Sequence, residues 1–305
     1  MALECPSCEA ADATRPVTRS NRDHDVRLGG RFAPTLLALP VVLALAAAAD
    51  AQQRPLATEV PEPIGAGRWS VELGVDWTTD RAYPASGLTG DLLRLPLVGV
   101  SIGLGAIGEL QIDGGFYNRL AITAREDAPL TSDLDFTGDV TSDAEDLAVA
   151  TKVRVLAERA RWPALGVRFA TRLPNANSGS GLGLDTMDFL VTLLIGKSVR
   201  AWRLAGNAGL GILGDPLHPG SQNDVVLAAT SVAHPLTTRV EFVSEIEGRI
   251  HIRHKDPTPG TGSRGVVRVG GRYRAGAGRF DLAAVAGLTS SDGDWGIAAG
   301  YSRVF

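Results

Sequence analysis

The 305-residue sequence predicts an all-β fold, an antiparallel transmembrane β-barrel of about twelve strands preceded by a signal peptide. Three observations predict it. Long segments alternate charged with apolar residues, their connections are alternately long and short, and an early apolar stretch is too short to span a bilayer.

Residues 239–253, RVEFVSEIEGRIHIR, show the alternation at its longest. Arg239, Glu241, Val243, Glu245, Glu247, Arg249, His251 and Arg253 share one face, and Val240, Phe242, Ser244, Ile246, Gly248, Ile250 and Ile252 the other. Period two is the strand period, because successive side chains leave a pleated backbone on opposite sides. A helical stripe through Phe242, Ile246 and Ile250 would leave out Val240 and Ile252. It would also have to absorb Gly248 and many β-branched residues. Ordinary globular strands run to about five or six residues, and this one is more than twice as long. A tilted strand crossing a bilayer needs about 9–11 residues plus polar ends, one face to lipid and one to a polar lumen.

The leader comes first in the chain. Arg27 and Arg31 precede the apolar core Leu36 to Ala49, and small residues follow at Ala49 and Ala51, so a secretory signal cleaved after Ala51 is expected. Its 14 apolar-core residues fall well short of a membrane helix. Residues 1–26 are polar and aperiodic and read as an over-extended gene start. Their lone CxxC, Cys5 and Cys8, lacks the second pair a zinc site needs. Residues 52–66 are expected to form a short periplasmic segment, and 67–305 the barrel.

Eleven further segments repeat the strand pattern: 68–79, 92–105, 108–122, 146–158, 163–173, 187–199, 202–213, 225–233, 265–276, 279–288 and 295–305. The links near 80–91, 120–145, 174–186, 214–224, 254–264 and 289–294 are longer and rich in Gly, Pro, Asp, Asn and Ser. Those near 106–107, 159–162, 200–201, 234–238 and 277–278 are brief. Six long and five short links are what twelve strands with periplasmic termini require. Closure removes sheet edges whose unpaired N–H and C=O groups would each cost several kcal/mol in lipid. A soluble sandwich or propeller shares the alternation, but not the signal, the loop asymmetry and the lumen-like charges together. The chain ends YSRVF, with Trp295, Ile297, Ala299, Tyr301 and Phe305 on one parity, like the strand that barrels present to outer-membrane assembly machinery. Arg303 on that apolar face requires a snorkelling position near an interface.

Residues 172–216, RLPNANSGSGLGLDTMDFLVTLLIGKSVRAWRLAGNAGLGILGDP, resemble the signature region of a bacterial outer-membrane family. That family is labelled as transporters, or as barrels associated with phenol degradation by the meta pathway. The likeness lies in a Pro-Asn strand end, the Gly-rich SGLGLDT loop, an apolar strand through Gly196 and Lys197, and a closing GNAGLGILGDP. It implies an envelope barrel for hydrophobic compounds and transfers no binding residue. The Gly-rich loop 178–183 lacks the Lys-Ser/Thr ending and following helix of a phosphate cradle, so an external loop folded over the mouth is expected. Asp185 and Asp188 alone fall short of the six or more oxygens of a calcium cage.

The formal net charge of −4 gives no reason to expect nucleic acid, and no residue pattern calls for a cofactor. A hydrolase needs a Ser and a His on one face. Ser244 and His251 lie on opposite parities, as do Ser231 and His234, so no enzyme is predicted. The lumen candidates are Glu241, Glu245, Glu247 and Arg249 on one strand and Arg268, Arg272 and Arg274 on the next, with Lys152, Arg154, Arg168 and Arg172 further round. Opposed charges of this kind build a constriction that orients small-molecule solutes; they also build neighbouring-strand ion pairs that plug a narrow barrel. A transport barrel in the outer membrane and a structural or adhesive barrel with a filled lumen therefore both stay open.

Overall fold

The computed structural model describes residues 54–253 and 255–305. The predicted leader at 1–51 lies outside them. The strands, in chain order, are β1 Trp69–Tyr83, β2 Leu88–Gly103, β3 Gly108–Gly115, β4 Asn118–Arg125, β5 Val140–Asp143, β6 Leu147–Leu156, β7 Ala164–Leu173, β8 Asp188–Val199, β9 Trp202–Gly214, β10 Gln222–Pro235, β11 Val240–His251, β12 Arg264–Ala275, β13 Gly278–Gly287 and β14 Trp295–Val304. β3 and β4 are successive lengths of one strand, as are β5 and β6. The barrel is therefore twelve-stranded. Neighbours pair antiparallel, and β1 pairs with both β2 and β14, which closes the sheet.

The strand breaks have local causes. Pro96 has no N–H to give the ladder, and opposite it the chain bulges: Leu95 N donates to Tyr117 O and Phe116 N to Pro96 O. Inward parity changes there, from Leu88 and Leu92 to Leu97 on β2. The link expected at 80–91 is mostly strand. β1 runs to Tyr83 and β2 starts at Leu88, with a register shift between Thr78 and Arg81 and a positive φ of 49° at Asp80. The bulge slips the period by one residue. Beyond it the cavity-lining residues pass from Asp76 and Thr78 to Arg81 and Tyr83.

The outer face is apolar. Leu193, Ile250 and Leu282 are 45%, 58% and 59% exposed, a surface that water would penalise and lipid accepts. Aromatic rings mark both rims. Trp69 stacks on Phe305 at 4.1 Å at the terminus end, and Trp77 meets Trp295 edge-on at 5.0 Å at the other. Trp69 and Trp77 are eight residues apart on β1. That is about 26 Å of strand at about 3.3 Å per residue, or about 20 Å along an axis tilted by about 40°. The interval fits the apolar band, about 25 Å tall, of such barrels. Arg303 sits at the rim with its guanidinium 4.6 Å from the Phe305 ring.

The segment before β1 does not stay outside the barrel as expected for 52–66. Its described part, from Arg54 to Ile64, enters the lumen, where Leu56 packs on Val243 and Ala233. Pro55, Pro61 and Pro63 keep it from becoming another strand, because proline cannot complete a ladder. Its buried amides find side chains instead. Ala57 N and Thr58 N donate to Glu245 at 2.8–3.0 Å, Glu59 N to Asn207 Oδ1 at 2.8 Å, and Ile64 N to Glu109 Oε2 at 2.8 Å. The wall is carved to receive the segment. A Cβ at Gly196 would stand 3.0 Å from the Pro61 ring, and one at Gly74 would collide with the Arg54 guanidinium.

Candidate functional site

The lumen has two zones, a filled half near the short turns and a cavity beneath the longer loops. In the filled half, Lys152 and Glu109 have no side-chain exposure and pair at 3.1 Å, and Lys152 also meets Glu59 at 3.4 Å. Arg168 donates to Gln111 Oε1 at 2.7 Å and lies 3.4 Å from Glu59. Two cations and two carboxylates thus neutralise each other around the inserted segment. Glu245 is shared between wall and segment. It accepts Thr58 Oγ1 at 2.6 Å besides the two amides, and pairs with Arg268, which also holds Glu247. Glu241 pairs with Arg203 and Arg272, and Arg272 Nε donates to Arg54 O at 2.9 Å. Arg54 reaches Asp76 at 3.4 Å.

Eight of the sequence-predicted candidates, Lys152, Arg168, Arg172, Glu241, Glu245, Glu247, Arg268 and Arg272, have their charges engaged in ion pairs. Glu241 and Glu245 face Arg272 and Arg268 directly across β11 and β12. Arg172 pairs with Asp188 at 3.1 Å. Two candidates sit at the short-turn rim. Arg154 donates to Ala106 O at 3.0 Å, and Arg274 is exposed. Arg54, Glu59, Asp76, Arg94, Glu109 and Asn207 carry comparable contacts that the sequence pattern did not bring forward. Glu109, at least, shares the alternation of 108–122; Arg54 and Glu59 belong to a segment with no period.

The cavity above holds about 500 Å³, within the range of small-molecule sites. Its apolar lining includes Tyr83, Leu92, Leu184, Leu213 and Leu227; its charged lining includes Arg81, Arg94, Arg172, Arg249, Arg264 and Arg268. The Gly-rich loop folds over the mouth. Leu182 packs, with Leu134 and Phe136, on the buried cluster Leu88, Leu92 and Leu120, and Ser86 Oγ donates to Gly181 O at 2.8 Å. Gly181 has φ 75°, and its missing Cβ leaves room for Leu88.

Two further loops are tied at Asp215. Burial pushes its carboxyl up, but donation from Thr258 Oγ1, Leu217 N and His218 outweighs burial and holds it at about 2. Asp185 accepts Ser178 N while Asp188 serves Arg172 and Gly214 N, so the two carboxylates considered for calcium go to separate partners. His234 lies tilted against Trp202, ring centroids 4.3 Å apart, and His251 Nε2 lies 2.9 Å from Lys255 O.

A closed twelve-stranded barrel with an apolar belt, aromatic rims and a polar lumen is a bacterial outer-membrane β-barrel. Among solved structures the chain is similar to the COG4313 outer membrane channel from Pseudomonas putida F1, with 15% identity and a TM-score of 0.59 over 80% of this chain and 98% of that one. It is also similar to the translocator domain of autotransporter NalP from Neisseria meningitidis, with 12% identity and a TM-score of 0.45 over 78% and 88%. At 15% identity the first likeness carries the fold alone. No family model matches the chain and no curated protein matches its sequence, so the resemblance read from 172–216 has no such match behind it.

Proposed function

We propose that the protein is an outer-membrane channel for small amphipathic molecules, hydrophobic or aromatic ones included, closed by its own segment 54–64 and opened when that segment moves. The observation that supports it is how the segment is held. It forms no ladder with the wall and is fixed by side-chain hydrogen bonds, ion pairs and the packing of Leu56 and Pro61. The cavity above it, part apolar and part charged, is the vestibule in which a solute waits. With the segment displaced, Glu241, Glu245, Glu247, Arg168, Arg268 and Arg272 become the charged wall of the pore. No enzymatic role belongs to this reading. Phe305, half-exposed beside Trp69, is the terminal residue through which assembly machinery would take up the chain.

Planar-bilayer conductance tests the reading. A variant lacking residues 54–64 is expected to give steady, larger channels than the intact protein. In Glu245→Gln the open population should rise, about tenfold for each 1.4 kcal/mol of lost holding energy. Silence from the folded deletion variant would leave a structural or adhesive barrel instead.

A further inference from the structure

Arg249 and Arg264 stand directly opposite each other on β11 and β12, both lining the cavity. Like charges in that register repel, and elsewhere on the same two strands the register sets acid against base, Glu241 with Arg272 and Glu245 with Arg268. The charges around the cavity show why this pair is different. Arg81 is matched by Asp292 at 3.2 Å, Arg172 by Asp188, Arg94 by Asp76 and Glu145, and Arg268 by Glu245 and Glu247. Asp292 also accepts Gly265 N and Thr289 Oγ1, so both its oxygens are in use. The remaining lining carboxylate, Asp146, accepts the amides of Asn175 and Ala176. Arg249 donates to two carbonyls, Gly262 O at 3.0 Å and Gly260 O at 2.8 Å, which fix its guanidinium without neutralising it. Neither Arg249 nor Arg264 has a carboxylate within salt-bridge distance among the described residues.

We infer that Arg249 and Arg264 form a receiving site for the carboxylate of an amphipathic monoanion whose apolar body lies against Leu92, Leu184 and Leu213. This rests on the cavity being the solute's vestibule, and it narrows the solute class. Two guanidiniums offer a carboxylate forked, charge-assisted hydrogen bonds, and the ligand's charge relieves the repulsion between them. An uncharged analogue of the same length fills the apolar wall and leaves the repulsion in place.

The test is calorimetric titration of the refolded protein in non-ionic detergent with octanoate, octanol and inorganic phosphate. Octanoate is expected to bind at least tenfold more tightly than octanol. Arg264→Gln and Arg249→Gln should each erase that preference while keeping octanol binding, and Arg264→Gln should raise the melting temperature of the ligand-free protein. Equal affinity for octanoate and octanol, or a preference that survives in both variants, overturns the inference. So does phosphate binding as tightly as octanoate, which would make the pair a counter-ion site without an apolar half. Binding is read in solution without passage, so a barrel that conducts nothing yet prefers octanoate would sink the channel reading and keep the site.

Discussion

Lys152 shows what a single residue contributes inside this lumen. A fully buried ammonium is tolerable only when paired, and Lys152 has Glu109 at 3.1 Å and Glu59 at 3.4 Å. Lys152→Met should cost about 3–5 kcal/mol in chemical unfolding, because it leaves Glu109 buried and uncompensated. Adding Glu109→Gln should recover much of the loss; a double variant no better than the single would refute the pairing as the cause. Strand parity alone pointed Lys152 into the lumen. Its acid Glu59 was hidden, because RPLATEVPEPIG has no period from which a partner could be read.

At the scale of elements, legibility follows the membrane. Within the hydrocarbon each strand must be apolar on one side, so the period is clean and the strands from 187–199 onward stand close to where the pattern puts them. Above it both faces meet water or loops, and a bulge at Asp80 slips the phase, so the ends of β1 and β2 read as a link. The loops follow contact chemistry rather than period, and Asp215 is an example. Its carboxyl is held below its ordinary value, so its contribution is complete above about pH 4 and is lost as the pH falls towards about 2. Hydrogen exchange in 255–263 should therefore be slow at pH 4, after correction for intrinsic rates, and faster near pH 2. Asp215→Asn should show fast exchange at both values; a variant indistinguishable from the wild type at pH 4 would remove Asp215 as the tie.

For the whole molecule, closure and the lipid belt act as one constraint. Among the described strands only β5 is paired on a single side, the others forming a closed wall, and what each outward position tolerates depends on its depth. Lys197 makes the point, since it shares the outward parity of Leu193, four residues away on β8. It is tolerated because its Nζ reaches the short-turn rim, donating to Arg159 O at 2.7 Å and Ala160 O at 3.2 Å and pairing with Glu158 at 3.0 Å. Leu193 lies about 13 Å further along the strand at about 3.3 Å per residue, beyond the reach of those groups. Leu193→Arg should cost about 2–4 kcal/mol in unfolding from lipid vesicles, as expected near a bilayer midplane. Lys197→Met should cost under about 1 kcal/mol, the worth of an exposed rim pair. Equal costs at the two positions would mean that the belt is not immersed in lipid, and the membrane-spanning reading of the whole barrel would fall with it.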